Sequence, residues 1–385
     1  MPRACAPSTP FERLVTASAP TSSLDRLLAD FDEGKKAALA RAVSIVENHR
    51  PGFDVLLGRL HPRIGRSWRI GLTGPPGAGK STMTTQLAAA YRAQGLTVGI
   101  VAVDPTSPFT GGALLGDRIR MEQVALDPGV FIRSMATRGS LGGLAAATRE
   151  VCDVLDAFGI DRILIETVGV GQSELDIART ADTSVVVLVP ESGDSIQTLK
   201  AGLMEIADVF VVNKSDRPGA DRLRNELEVM LGMRDGNALR NVPAHHGVDL
   251  GRAMTREERL AMNPARAARE RARESGAGSA GWTPPVLRSV AAKGEGIAEV
   301  VDAVGRHFAY LEASGTLGER RRRRLRERIV EVVEQRVRSR LWTDPATNAW
   351  LDAQLPTVET GTSTPFTVAD ALLARSADLL TGTTQ

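Results

Sequence analysis

Short apolar runs that end at a glycine or a polar residue constrain the fold of this chain more than any other feature. The clearest five cover residues 70–74, 98–104, 163–169, 184–189 and 209–213. Helical stretches separate them, and the β runs are apolar throughout instead of at every second residue. This alternation is typical of a parallel sheet with helices on both faces. The sequence therefore predicts an α/β fold with a doubly wound, mostly parallel sheet.

The charge balance excludes several classes of partner. The 385 residues contain 48 basic and 46 acidic side chains, and the formal net charge is +2. So small a charge provides no general field for nucleic acid or for an anionic lipid surface. No apolar run approaches the roughly 18 residues that cross a bilayer. We therefore predict a soluble protein without a nucleic-acid or membrane partner, in which any phosphate chemistry is local.

The number of cysteines and the first residues of the chain indicate the cellular compartment. Cys5 and Cys152 are too few for a disulfide framework or a structural zinc site, which favours a reducing compartment and predicts the cytoplasm. Residues 1–23 lack the continuous apolar segment of a secretory signal. They faintly resemble a transit peptide, but four prolines would break an amphipathic helix there. We expect a disordered start.

A glycine-rich motif follows the first predicted strand and precedes a helical run. Residues 74–81 read GPPGAGKS and fit the pattern G-x-x-x-x-G-K-[S/T]. Its glycines let backbone N–H groups turn inward around a phosphate at a helix N-terminus. Lys80 is predicted to neutralise β- and γ-phosphate oxygens, and the Ser81 hydroxyl to bind Mg²⁺. The predicted nucleotide contacts are Gly74, Pro75, Pro76, Gly77, Ala78, Gly79, Lys80, Ser81 and Thr82.

A second motif, N-K-S-D at residues 213–216, closes an apolar strand. The Asp216 carboxylate can accept hydrogen bonds from N1–H and the exocyclic amine of guanine, whereas adenine offers no N1–H. Asn213 would meet guanine N7 or O6, and the Lys214 stem would lie along the base. Together with the phosphate motif, this pattern predicts a site for GTP and GDP.

Two carboxylates at predicted strand ends favour a metal near the phosphates. Glu166 begins the sequence E-T-V-G, in which the acid reaches Mg²⁺ and the Gly169 N–H senses the γ-phosphate. Asp104 ends another predicted strand. Ser81, Asp104 and Glu166 are the predicted Mg²⁺ ligands, directly or through water. The predicted catalytic set is Lys80, Asp104, Glu166 and Gly169.

The residue after Gly169 predicts slow intrinsic hydrolysis. Fast GTPases place a water-orienting glutamine there, but this chain has Val170, with Gln172 two residues further on. Hydrolysis would then wait for a partner or a conformational change. An arginine of the same chain could supply the missing transition-state charge, with Arg118, Arg120 and Arg138 as candidates.

These motifs, with DPTSPFTGGALLGDRIRM at 104–121, RSMATRGSLGGL at 133–144 and ETVGVGQSE at 166–174, resemble the MeaB/ArgK-like GTPases of the SIMIBI class. These are also called methylmalonyl-CoA mutase-associated G proteins. The resemblance runs from about residue 24 to the C-terminus. It implies a chaperone that uses GTP to gate cofactor loading into an adenosylcobalamin-dependent acyl-CoA mutase, and to promote removal of damaged cofactor. The mutase, not this chain, is expected to hold the cobalamin.

The resemblance also implies mobile switch segments and a domain layout. Asp117 marks one switch, and residues 191–200, with Gln197 and Lys200, resemble a further switch that senses the mutase. The expected layout is a disordered start at 1–23, a helical extension at 24–62, a GTPase domain at 63–312 and a C-terminal helical arm at 313–385. Independently, apolar residues on one face of 319–342 predict an amphipathic helix. The arm is expected to form a homodimer.

Two stretches depart from the family pattern. The family's Ser-Ala before a G-x-G-I turn, whose backbone N–H reads guanine O6, appears here as Val290-Ala291. A backbone donor survives that change, whereas a serine hydroxyl would not. The connection at about 235–285 is longer than usual and is predicted to be an insertion.

Other readings stay open from the sequence. A GTPase for nickel insertion shares the core but should carry a Cys/His cluster. A ParA-like ATPase would place a second lysine where Pro75 and Pro76 stand and would lack N-K-x-D. A kinase of the ArgK transport-system type would transfer phosphate to an acceptor, and a pure binding module would hold nucleotide without turnover.

Overall fold

A computed structural model describes residues 22–105, 121–137, 143–167, 177–190, 202–234 and 281–376 of the chain. The chain divides into two compact units, Met1–Leu317 and Gly318–Gln385. The first unit contains the sheet and is considered first.

Within the described residues, seven parallel strands form one sheet in the order β3-β2-β4-β1-β5-β6-β7. This confirms the predicted fold class, and the five predicted runs are five of these strands. The outer strands β3 and β7 were not predicted. The strands are β1 Trp68–Thr73, β2 Val98–Pro105, β3 Val130–Thr137, β4 Arg162–Thr167, β5 Thr183–Leu188, β6 Val209–Val212 and β7 Val286–Arg288.

Helices precede the sheet, connect its strands and follow it. Most crossovers between parallel strands need such a helix, because the chain must return to the edge at which strands begin. In the first unit the helices are α1 Ser22–Asp32, α2 Lys36–Glu47, α3 Phe53–Leu60, α4 Lys80–Ala93, α5 Glu122–Ala125, α6 Gly143–Phe158, α7 Met204–Ile206, α8 Ala220–Arg234 and α9 Ile297–Ala313.

Both faces of the sheet are covered, which explains why the five predicted runs carry apolar residues on both sides of the sheet. On one face, Leu72 and Val187 pack with Leu87 of α4 and Val300 of α9. On the other face, β2 and β4 pack against the N-terminal helices and α6, while β5 and β6 pack against α8. The helical prelude predicted from the sequence is therefore part of the main core.

A buried aspartate on α6 holds the chain where it enters β1. Asp156 is 2% exposed, and its carboxylate accepts the backbone N–H groups of residues 65, 66 and 67 at 2.8, 3.0 and 3.0 Å. Arg69 donates to Asp153 at 2.8 Å and to Asp156 at 3.2 Å. Burial acts to lower the pKa of Arg69, but the surrounding carboxylates outweigh burial and raise it. The ion pair is thus retained in the interior.

Three further aspartates stand directly before strands and bond the neighbouring backbone. We call the end of the sheet at which strands begin the amino edge. Each of these carboxylates accepts a backbone N–H at the amino edge and so satisfies a donor there. Asp161 accepts Thr97 N at 2.8 Å, Asp182 accepts Arg69 N at 3.2 Å and Asp208 accepts Ser184 N at 2.9 Å.

The second unit is helical. Its helices are α10 Thr316–Thr343, which begins just before the unit, α11 Pro345–Glu359 and α12 Pro365–Arg375. Asp344 caps α11 by accepting Thr347 N at 2.8 Å, and Thr364 caps α12. Apolar side chains on α10 are exposed, among them Leu325 at 45%, Ile329 at 64% and Val333 at 53%. Within the described ranges, no helix combines the length and apolar character that crossing a bilayer requires.

Candidate nucleotide site at the carboxyl edge of the sheet

The glycine-rich loop joins the end of β1, the central strand, to the start of α4. Two of its glycines are required by close approach as well as by positive φ. Gly74 has φ 136°, and a Cβ there would lie 2.0 Å from the Val187 carbonyl oxygen. Gly79 has φ 87°, and a Cβ there would lie 2.4 Å from Asn213 Nδ2. The loop thus packs against the ends of β5 and β6 and places the positive end of α4 at the carboxyl edge, where strands end.

The lysine of the motif is held inside its own loop. Lys80 is 6% exposed, and its Nζ donates to the carbonyl oxygens of Gly74 at 2.7 Å and Pro75 at 2.9 Å. These carbonyls position the ammonium where the loop's backbone turns. A cation there, beside the N-terminus of a helix, suits a phosphate group.

The two described side chains predicted to bind the metal are in direct contact. Ser81 Oγ donates to Glu166 Oε1 at 2.5 Å. Glu166 is 2% exposed and pairs in register with Leu72 and Ala102, so β4 delivers its carboxylate between β1 and β2. The hydroxyl and carboxylate oxygens suit Mg²⁺, which prefers oxygen ligands and takes the remainder from phosphate and water.

Asp104, the third predicted ligand, lies near the end of β2, and its backbone pairs with that of Ala136 in β3. The placement of its side chain is outside the described part of the chain. Among the side chains that are described, no group of three or more His, Cys, Asp or Glu is close enough to hold a metal ion.

Asn213 joins the phosphate loop to the loop after β7. It is 3% exposed. Its Nδ2 donates to the Ala78 carbonyl oxygen at 2.8 Å, and its Oδ1 accepts from Ala291 N at 3.0 Å and from Ser289 Oγ at 3.1 Å. A side chain that uses both ends of its amide in this way fixes three loops relative to one another. The first residue of N-K-S-D is therefore structural as well as a candidate base contact.

The next residues of that motif face the phosphate loop and the solvent. Lys214 has φ 55°, a left-handed backbone conformation that non-glycine residues rarely adopt, and its Nζ donates to the Gly77 carbonyl oxygen at 2.9 Å. The Asp216 side chain is 45% exposed and lies 3.7 Å from Lys293 Nζ. The carboxylate predicted to recognise guanine is thus accessible at the end of the site.

The turn at Val290-Ala291 is built as a compact loop. Val290 N donates to the Glu295 carbonyl oxygen at 3.0 Å, and Ala291 N donates to Asn213. Ser289, which sequence reasoning missed, is 1% exposed and places its hydroxyl on Asn213. It lies one residue before the position at which the family pattern has serine. This neighbouring serine was the sequence signal that could have identified it.

Several predicted site residues lie outside the described residues and stay predictions. Five of them belong to a proposed switch or assist hydrolysis, one senses the γ-phosphate and two belong to the proposed mutase-sensing segment. They are Asp117, Arg118, Arg120, Arg138, Gln172, Gln197, Gly169 and Lys200.

A parallel sheet with a glycine-rich loop after its central strand, and with lysine, serine and a buried carboxylate at that point, defines the class of P-loop nucleotide-binding proteins. The family model for the methylmalonyl-CoA mutase-associated GTPase MeaB matches residues 39–346. The chain belongs to this family and is a P-loop GTPase of the MeaB/ArgK kind.

Relatives agree with this membership. A putative GTPase from Pyrococcus abyssi is 47% identical over 310 residues, which cover 80% of this chain and 84% of that protein. A mouse protein named methylmalonic aciduria type A homolog, mitochondrial, is 32% identical over 91% of this chain and 79% of its own length. The crystal structure of a LAO/AO transport system kinase superposes with a TM-score of 0.59 and 26% identity, covering 92% of this chain and 98% of that chain.

Proposed function

We propose that this GTPase uses GTP binding and slow hydrolysis to gate cofactor loading into an adenosylcobalamin-dependent acyl-CoA mutase. The single observation that carries the nucleotide part is the network around Asn213. That side chain bonds the phosphate loop and the loop after β7, and the accessible Asp216 carboxylate follows three residues later. The mutase part is supported by the family's description and by the name of the mouse relative.

In this proposal each end of the site has a separate task. Asp216 accepts the N1–H and 2-amino groups of guanine, while Lys80 and the N-terminus of α4 bind the β- and γ-phosphates. Ser81, Glu166 and Asp104 would hold Mg²⁺, which would neutralise charge that develops on the phosphates. Val170 in place of a water-orienting glutamine supports a slow intrinsic rate that a mutase raises. The cobalamin stays with the mutase.

Calorimetry with GDP and ATP tests the base preference. We expect GDP and GTP to bind at least a hundredfold more tightly than ATP, since adenine would turn a ring lone pair towards Asp216. Equal binding of ATP would refute guanine recognition. Hydrolysis is then measured with and without a methylmalonyl-CoA mutase type enzyme, using a CoA enzyme that lacks cobalamin as the control. Equal rates with both would refute the mutase as partner.

The exposed side of α10 supports a homodimer. Leu325, Ile329, Val333 and Val337 recur every four residues, each at least 36% exposed, and form one apolar stripe. We expect Ile329→Glu to shift the protein from dimer to monomer in sedimentation equilibrium. Gln335→Glu, on an exposed position of the same helix away from the stripe, is the matched control. A wild-type monomer would refute the dimer.

Cysteine usage supports a cytoplasmic protein.

A kinase is the second candidate, because the solved relative bears that name. In this case the γ-phosphate would pass to an acceptor rather than to water. Labelled GTP incubated with the protein and with basic amino acids or a periplasmic binding protein separates the two. Label recovered only as inorganic phosphate supports the GTPase.

A further inference from the structure

Lys293 lies beside the carboxylate that is proposed to recognise guanine. Its Nζ is 3.7 Å from Asp216 Oδ2, and the side chains are 58% and 45% exposed. The two residues lie far apart in the sequence and come together because β6 and β7 are neighbours. Neither the phosphate motif nor N-K-S-D includes Lys293. The two motifs therefore do not explain why Lys293 lies beside Asp216.

The backbone around both residues is fixed by hydrogen bonds. Lys293 ends a 3₁₀ turn, and its N–H donates to the Val290 carbonyl oxygen at 2.8 Å. On the other side, Ser215 N donates to the Ser289 carbonyl oxygen at 3.0 Å. The loop that carries Lys293 is therefore held by an internal hydrogen bond, and the two loops are hydrogen-bonded to each other. An ion pair between two positioned loops loses less conformational entropy than one between freely moving surface side chains.

The separation of the two groups decides what the ammonium can do. At 3.7 Å, Lys293 Nζ lies beyond the 2.7–3.2 Å of a hydrogen bond. It attracts the carboxylate without taking up its lone pairs. Lys293 thus leaves both oxygens of Asp216 able to accept from a base. This geometry favours a role for the Lys293 ammonium in orienting the Asp216 carboxylate, not in blocking it.

The choice of lysine is consistent with this arrangement. Only six of the 48 basic residues in the chain are lysines. An arginine at this position could bond both carboxylate oxygens through its planar fork and would compete with a base. A lysine ammonium is a compact point charge that acts at a distance. We propose that Lys293 is a positioning residue that sets how strongly Asp216 recognises the exocyclic amine of guanine; this rests on the proposed function.

The test compares two nucleotides that differ by the amine alone. Inosine diphosphate lacks the 2-amino group of GDP, so the ratio of their dissociation constants reports the hydrogen bond from that amine to Asp216. Phosphate contributions cancel in the ratio. We expect Lys293→Gln to reduce the preference for GDP over inosine diphosphate by about two- to fivefold at low salt. At about 1 M salt the difference from wild type should disappear, since screening reaches about 3 Å.

Lys35→Gln is the matched control. Lys35 forms exposed ion pairs with Asp30 and Glu33 at 2.6 and 2.9 Å, on the loop between α1 and α2. The Lys35→Gln substitution should leave the ratio of the dissociation constants of GDP and inosine diphosphate unchanged. The ratio should also be insensitive to Lys293→Gln when Asp216 has been changed to Asn, because the carboxylate through which Lys293 acts is then absent.

The outcomes separate the two proposals. A wild-type protein that binds GDP and inosine diphosphate equally would overturn guanine recognition by Asp216, and the role of Lys293 with it. A wild-type protein with a clear preference that Lys293→Gln leaves unchanged would overturn the role of Lys293 alone. Thermal unfolding of each variant confirms that the fold is retained, as expected for an exposed side chain.

Discussion

The two edges of one sheet hold their polar groups in opposite ways. At the carboxyl edge, Lys80 and Lys214 donate to loop carbonyls, and Asn213 bridges three loops. At the amino edge, carboxylates such as Asp156 and Asp182 accept backbone N–H groups. The carboxyl edge is rich in donors and carries the predicted nucleotide contacts. The amino edge is rich in acceptors bonded within the protein.

The difference follows from the direction of the strands. Where these strands begin, aspartates accept backbone N–H groups and so complete the backbone hydrogen bonding. Loops at the other edge present turned backbone and a helix N-terminus, which favour a bound anion. We therefore expect substitutions at the carboxyl edge to change nucleotide chemistry and those at the amino edge to change stability.

The largest expected effect is at the carboxyl edge. Lys80→Ala removes the cation that would face the β- and γ-phosphates, and we expect mutase-stimulated GTP hydrolysis to fall about a hundredfold or more. Single-turnover assays with the protein in excess over GTP measure the rate. Lys35→Ala, on a distant exposed lysine, is the control and should retain the wild-type rate. Normal hydrolysis by Lys80→Ala would break the distinction between the edges.

The amino edge gives the next effect. Asp156→Ala leaves three backbone N–H groups and Arg69 without this acceptor, and we expect the free energy of unfolding to fall by about 3 kcal/mol. Urea denaturation measures it. Asp302→Ala removes an exposed acid paired with Arg306 and should change stability by less than about 0.5 kcal/mol. The folded Asp156→Ala protein should bind GDP as wild type does. A large loss of affinity would show that the edges are coupled.

Asp216→Asn sharpens the comparison through specificity. A carboxamide loses one acceptor for guanine and gains a donor for the O2 carbonyl of xanthine. We expect GDP affinity to fall about ten- to a hundredfold, while xanthosine diphosphate binds more tightly than it does to wild type. Stability should be unchanged, because the side chain is 45% exposed. Calorimetry with the two nucleotides measures both shifts, and unaltered GDP affinity would contradict the assignment.

The smallest effect is a pH dependence near the amino edge. Burial raises the pKa of Tyr91 to about 12, against 10.0 for the exposed group, although nearby Arg162 acts to lower it. The unfolded chain therefore loses this proton first, and stability is lost as pH rises from about 10 to 12. At pH 11 the loss is about 1 kcal/mol. Urea midpoints between pH 9 and 11 should fall less for Tyr91→Phe, and an identical fall would refute the shift.

Much of the fold and site was predictable from local patterns. The five apolar runs located five of the seven strands, and the motif flanks placed the phosphate loop between a strand and a helix. β3 was missed because Arg133 and Ser134 interrupt its apolar character, and β7 because three residues carry too little pattern. Ser289 was missed since its role depends on Asn213, a distant residue in the chain.

By itself the sequence determined the chemistry of the site and the type of fold. Glycines that tolerate positive φ, a lysine and hydroxyl at a helix start, and apolar runs of strand length are properties of neighbouring residues. Only the tertiary structure decided the strand order and the meeting of Asp216 with Lys293 and of Asn213 with Ser289. Such contacts join residues far apart in the chain, and the packing of helices on both faces of the sheet selects them.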